Sequence, residues 1–281
     1  MKKIFAITFI AALAFTACSN DDEGDISTQK EVKIITSITG NAPATRATFN
    51  PDGSGNFVTN DVFALSAWSP TLGIGYMYGY QVGQTTLYWD EISPDGNPVE
   101  VNAWYPNYTS TQSYKVANAA TEAVKDLLMA PPVTVSPGNP VNLQFKHVMH
   151  KLVINLSSNH YDATQLDAAT ISLKNLKSDA MVDFENGTVD ETAASGTDAY
   201  PLKRGSSVSF IVAPQNLPVA DTDMIEILVD GKTFTYKIPS GLTVLESGKK
   251  LSLTLTLKED GSVTGTVGEN FNSGGGHDGW N

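Results

Sequence analysis

The chain has 281 residues, a formal charge of −12 and one cysteine, with 23 glycines, 14 prolines and 17% charged residues. No basic surplus exists to neutralise phosphates, which excludes electrostatic nucleic-acid binding, and a lone cysteine excludes an internal disulfide or a thiolate-built metal site. Sparse charge and abundant Gly, Pro, Thr and Val argue against a helical bundle and for one or two acidic, β-rich domains.

Residues 1–17 carry Lys2 and Lys3, an apolar run from Ile4 to Phe15, and then Thr16-Ala17 before Cys18. A basic start, a short apolar run and small residues at a break make a secretory signal, and the run is too short to span a bilayer. Leu13-Ala14-Phe15-Thr16-Ala17-Cys18 looks like a lipobox, although Phe15 departs from the usual aliphatic. Cys18 is then the lipidation site, palmitate included, and the mature N-terminus; an ordinary cleaved signal with an incidental thiol is the alternative. Residues 18–30 form an acidic tether through Asp21-Asp22-Glu23-Gly24-Asp25, too polar to fold alone.

From Glu31 the pattern has period two. Val32, Ile34, Thr36 and Ile38 alternate with Lys33, Ile35, Ser37 and Thr39, which predicts a strand with one apolar face. Pro51-Asp52-Gly53 is a turn. Strands are predicted over Asp61–Trp68 and Gly73–Val82, and Leu87-Tyr88-Trp89 and Val99–Tyr105 continue the rhythm. Tyr76, Tyr78 and Tyr80 share a face. A short helix is expected over Asn118–Met129, ended by Pro131-Pro132. Val141, Leu143, Phe145, His147 and Met149 then share one parity and Leu152, Ile154 and Leu156 the other, the mark of a bulge or of a strand crossing between sheets.

The clearest local signal is Asp230-Gly231 between Ile225–Val229 and Lys232–Ile238. A two-residue loop there pairs Val229 with Lys232, Ile227 with Phe234 and Ile225 with Tyr236, all on one face. Ser207–Ala213 and Leu251–Leu257 add further strands. The fold class is therefore all-β, as two β-sandwich domains in tandem. The expected organisation is a signal peptide over 1–17, the tether over 18–30, an N-terminal domain over 31–140, a C-terminal domain over 141–258 and a flexible tail over 259–281.

No Gly-x-Ser-x-Gly elbow, His-Glu-x-x-His pair or phosphate loop occurs, so no enzyme, cofactor or metal site is expected. His147 and His150 point to opposite faces on a strand, and His147 reads as a buried, hydrogen-bonded side chain. Trp68, Tyr76, Tyr78, Tyr80, Trp89 and Trp104 cluster in the first half. Exposed, they could stack sugar rings; on alternating strands they pack more often in a core.

Several segments together resemble the fimbrillin family: Thr45-Arg46-Ala47, Asn60-Asp61-Val62-Phe63-Ala64-Leu65, Leu87-Tyr88-Trp89 and Val101-Asn102-Ala103-Trp104-Tyr105-Pro106. Asp126-Leu127-Leu128-Met129-Ala130, Leu143–Leu152, Phe210–Gln215 and Gly248–Leu251 follow in order. The resemblance implies two transthyretin-like β-sandwich domains and a surface lipoprotein of the outer membrane of Gram-negative anaerobes. It further implies assembly into an adhesive fimbrium, or pilus, by strand exchange with other fimbrial subunits or with copies of itself. The acidic residues after Cys18 likewise resemble an export signal of surface lipoproteins. A protease is expected to cut between Arg46 and Ala47, displacing the strand that carries Val32, Ile34 and Ile38. The tail, with Val263, Val267 and Phe271, is the candidate donor strand. A host or bacterial surface receptor is an expected partner. The alternative is a non-polymerising surface lipoprotein that binds a glycan through exposed aromatics.

Overall fold

Period-two alternation runs through most of the chain, and the backbone follows it. The computed structural model describes residues 30–39, 48–49, 55–107, 112–117, 126–268 and 278–279. Cys18, Arg46, Ala47, Phe271, the turn at 51–54 and the helix segment 118–125 lie outside the described residues.

In chain order the first half gives β1 (Ile34–Thr39), β2 (Thr48–Phe49), β3 (Gly55–Asn56), β4 (Val62–Ser69) and β5 (Ile74–Gln81). A one-turn helix α1 (Trp89–Ile92) follows, then β6 (Val99–Tyr105), β7 (Ser113–Lys115), β8 (Leu128–Val135) and β9 (Val141–His147). All these strands but β7 form one sheet, ordered β2-β3-β1-β9-β8-β6-β4-β5. β8 and β9 share just the pairs Leu128↔His147 and Met129↔Lys146. Beyond them Pro131 and Pro132 offer no N–H to a ladder, so the sheet opens there into two leaves. Leaf meets leaf through Phe145 of β9 and Phe63 of β4, whose ring centroids are 5.3 Å apart. Phe57 touches both, at 4.7 Å from Phe145 and 5.2 Å from Phe63.

The second half gives β10 (His150–Ser158), α2 (Ala163–Asp167), β11 (Thr170–Leu173), β12 (Asp179–Asp183), β13 (Thr188–Ser195) and β14 (Lys203–Arg204). It continues with β15 (Ser207–Val212), β16 (Gln215–Asn216), β17 (Asp223–Val229), β18 (Lys232–Lys237) and β19 (Val244–Leu245). The last strands are β20 (Lys249–Leu257), β21 (Val263–Val267) and β22 (Asp278–Gly279). One sheet runs β15-β10-β20-β21, with β22 also on β20, and a second runs β14-β11-β17-β18. Leu152, Ile154, Leu251, Leu253 and Leu255 of the first share a buried cluster with Ile171, Ile225, Ile227 and Phe234 of the second. The architecture is two β-sandwiches in tandem. β7 leaves the first half to pair with β12, and Tyr114 and Val116 pack in the second cluster.

The hairpin is paired as expected, with Val229↔Lys232, Ile227↔Phe234 and Ile225↔Tyr236. Asp230 and Gly231 both have positive φ, 49° and 77°, which the right-handed strand twist demands of a two-residue loop.

β9 belongs to the first sheet and the first buried cluster through Val141, Leu143 and Phe145, and the sheets change at Val148-Met149. Two expectations are corrected. Leu128 and Met129 are strand, not helix, and Pro131-Pro132 lie inside β8, where the β6–β8 register slips between Val101 and Ala103. A proline is tolerated at such an irregularity. Trp89 opens a helical turn instead of continuing a strand; Glu91 accepts from the Tyr88 N–H at 3.1 Å and holds that turn.

Candidate assembly groove

The segment 30–39 enters the first sheet as a strip with two faces. Val32 and Ile38 are buried, Ile34 and Thr36 are half-buried, and Lys33, Ile35 and Ser37 are exposed. The inward residues join the cluster of Phe57, Phe63, Leu87, Trp89, Val141, Leu143 and Phe145. Burying an aliphatic side chain of this size contributes about 1.5–3 kcal/mol, and three of them here share one face.

The backbone is held along the same length. β1 runs parallel to β9 from Ile34↔Val141 to Thr39↔Lys146. The Val141 N–H donates to the Lys33 carbonyl at 2.8 Å, and the Val32 N–H donates to the Leu87 carbonyl at 2.8 Å. The Trp89 N–H donates to the Lys30 carbonyl at 2.9 Å, and Thr39 Oγ1 donates to the Phe145 carbonyl at 3.2 Å. On its other side β1 meets β3 at Ile38↔Gly55. Without this segment, the edge of β9 would be unpaired beside an apolar floor that includes Leu143 and Phe145. Tyr78 and Tyr80 pack on the same cluster. Partial burial raises both phenols above their ordinary value, with Glu91 and then Tyr76 adding to the effect on Tyr78 and Glu31 to that on Tyr80.

Toward the other end of the chain, β21 occupies a sheet edge. β21 lies antiparallel on β20, from Leu253↔Val267 to Leu257↔Val263, and β22 takes Lys249 and Lys250 on the same strand. Val263 and Val267 are partly buried against the second cluster. Gly265 is required by its neighbour, because a Cβ there would run into the Tyr236 ring. The structure thus sets the candidate displaced strand inside the first sheet, between β3 and β9, and two of the candidate donor residues at the edge of another sheet. Neither partner strand, β9 or β20, is announced by anything local in the sequence.

The aromatics divide sharply. Trp89 and Trp104 are buried, at 4% and 5% exposure, and Phe184 packs on Trp104 at 5.1 Å. Trp68 is 42% exposed. It borders a cleft of about 300 Å³ lined also by Ser66, Glu100, Asn102, Pro132, Glu185 and Asn186. His147 Nδ1 lies 2.8 Å from Asp126 Oδ2, both groups buried, and His150 Nδ1 lies 2.9 Å from the Glu246 carbonyl. Among the described residues no group of His, Cys, Asp and Glu could hold a metal ion, and no helix is long and apolar enough to cross a membrane.

The fold defines a class: an all-β protein of two β-sandwiches in tandem. The sequence profile of the fimbrillin-like family matches residues 23–269, and the chain belongs to that family. Solved structures share the fold. A candidate cell-adhesion protein of Bacteroides ovatus is 19% identical with a TM-score of 0.60, over 86% of this chain and 96% of that one. One from Bacteroides uniformis is 16% identical with a TM-score of 0.60, over 86% and 98%. One from Bacteroides thetaiotaomicron is 21% identical with a TM-score of 0.52, over 80% and 93%. No curated protein matches the sequence significantly.

Proposed function

We propose that the chain is a fimbrial subunit or accessory component, exported as a lipoprotein through Cys18 and assembled by strand exchange for adhesion at the cell surface. The observation that carries this reading is β1: a strand with alternate residues buried, laid on β9, and joined to the rest of the chain through the segment that contains Arg46. Cutting between Arg46 and Ala47 would free Val32, Ile34 and Ile38 and open a groove with both unpaired backbone and apolar pockets. An incoming strand satisfies both at once. The tail with Val263, Val267 and Phe271 is the segment we assign as donor; its stretch Val263–Val267, paired with β20 in the single chain, would leave that strand when a neighbour's groove is open. On this reading the N-terminal domain runs to His147 and the C-terminal domain from His150 to Leu257.

The test uses the fact that the chain has two arginines, of which Arg204 lies in the β14–β11 ladder. Treatment with an Arg-specific protease is expected to give one product beginning at Ala47, followed by a ladder of polymers. Arg46→Ala should abolish both. Product starting elsewhere, or polymers formed equally by the Arg46→Ala chain, would refute the reading.

A second reading, glycan capture, retains one aromatic. Trp68 is exposed in a cleft with carboxylates and amides, whereas Trp89 and Trp104 are in the core. If the cleft holds a sugar, binding on a glycan array disappears with Trp68→Ala and persists with Tyr76→Ala.

A further inference from the structure

β5 ends the first sheet, and among the described residues no strand pairs with its outer edge. The direction of its backbone groups can be followed from its end. Val82 exchanges bonds with Asn60 and Asp61 on the β4 side, at 2.9 Å each. Gln81 is turned the other way: its N–H donates to Thr85 Oγ1, and its carbonyl accepts from the N–H groups of Gln84 and Thr85. Antiparallel strands alternate in this manner residue by residue. Tyr80, Tyr78 and Tyr76 therefore bond to β4, while Gly79, Met77 and Gly75 direct N–H and C=O groups to the open edge.

Sheet edges are normally protected by charge, proline or a bulge. Ile74–Gln81 has no charged residue and no proline, and its pairing with β4 is unbroken from Val62↔Gln81 to Ser69↔Ile74. Met77 is 58% exposed and stands on the outer face between the two glycines. The places a Cβ would take at Gly75 and Gly79 are filled by the Trp68 ring and the Asn107 amide.

The decisive feature is that Gly75-Tyr76-Met77-Tyr78-Gly79 reads the same in both directions. An antiparallel pair of such strands, centred on Met77, sets Met77 opposite Met77 of the second copy, Gly75 opposite Gly79, and Tyr76 opposite Tyr78. The three positions that face outward meet three positions that face outward, so every edge N–H and C=O at Gly75, Met77 and Gly79 finds a partner. Directly opposed aromatic pairs stabilise such a ladder on the other face. A chain of charge −12 must keep like charges apart when it meets itself, and this strand brings none to the axis. We propose that the β5 edge is a self-association surface, pairing two copies of the chain antiparallel about Met77 into a two-fold dimer with one continuous sheet. It lies across the sheet from β1 and does not depend on release of that strand, so the Arg46→Ala chain dimerises equally.

Sedimentation equilibrium of the purified full chain is expected to show monomer and dimer exchanging with concentration. Met77→Lys places two ammonium groups opposite each other, and Met77→Glu two carboxylates; each variant alone should lose the dimer. An equimolar mixture of the two variant chains should recover it as a dimer of one of each, because residue 77 faces itself across the axis. Unchanged circular dichroism and thermal midpoints confirm that both variants fold, as the exposure of Met77 requires. Slowed hydrogen exchange at Gly75, Met77 and Gly79 on dimerisation completes the expected result. A wild-type chain that stays monomeric, a dimer that survives Met77→Lys, a mixture that fails to pair, or protection that appears in the tail beyond residue 259 instead of in β5 would each overturn the proposal.

Discussion

Truncating Ile38 to alanine is expected to cost the uncleaved chain about 2–5 kcal/mol in stability and to leave the chain cleaved after Arg46 unchanged. Ile38 is 2% exposed and paired with Phe145 in the β1–β9 ladder. Its loss removes apolar transfer energy and leaves a cavity beside a cluster of aromatic rings that cannot close over it fully. That part of the effect follows from packing alone. The second part follows from strand exchange: once β1 has gone, residue 38 is no longer in the folded subunit and its identity should not matter.

A control sits three residues away. Ile35 has the opposite parity and is 42% exposed, so Ile35→Ala should change stability by less than about 0.5 kcal/mol in either form. Urea midpoints of four samples, the two variants each before and after cleavage, decide the matter. If Ile38→Ala weakens both forms equally, the segment remains docked after the cut and does not open a groove. If it weakens neither, β1 contributes no packing energy and the strand-exchange reading loses its basis.

How far the sequence reveals this architecture depends on the range of each interaction. The hairpin at Asp230-Gly231 was fully legible, because its register follows from a two-residue loop with positive φ. The inward face of β1 was legible too, since Val32, Ile34 and Ile38 share a parity that only burial explains. Its partner was not: β9 lies more than a hundred residues on, and parallel pairing leaves no local turn to mark it. The parity change after Met149 announced a crossing between sheets but not which side of it β9 would join. Pro131-Pro132 reads as the end of a helix in isolation, yet it falls where β8 parts from β9 and an N–H is not needed. Trp68, Trp89 and Trp104 look alike in sequence, and what separates them is a distant cover: Phe184 closes over Trp104, and Trp68 stays open. The edge role of β5 was hidden for the same reason, since a Gly- and Tyr-rich strand declares its composition and not its neighbours.

The junction between the sandwiches offers the other large effect: His147→Ala is expected to destabilise the chain by about 3–5 kcal/mol, the scale for breaking a buried pair from one side. His147 closes β9 at the point where β8 and β9 still touch, opposite Leu128, and its Nδ1 reaches Asp126 Oδ2 at 2.8 Å. Asp126 is 6% exposed, and among the described residues its other oxygen has no hydrogen-bond partner. Removing the imidazole therefore strands a carboxylate in a nearly dry site. Lys151 lies within electrostatic reach of Asp126: burial, reinforced by Lys250 beside it, lowers that ammonium below its ordinary value, with the charge of Asp126 pulling the other way. Asp126→Ala removes the carboxylate itself and takes one hydrogen-bond partner from the ring, a smaller loss of about 1–3 kcal/mol. The double variant should then be more stable than the sum of the two single losses implies, because the stranded carboxylate is absent from it. Urea unfolding of the four chains measures this coupling directly. Equal losses from the two single variants, adding without coupling in the double, would show that the pair holds the junction by shape and not by charge.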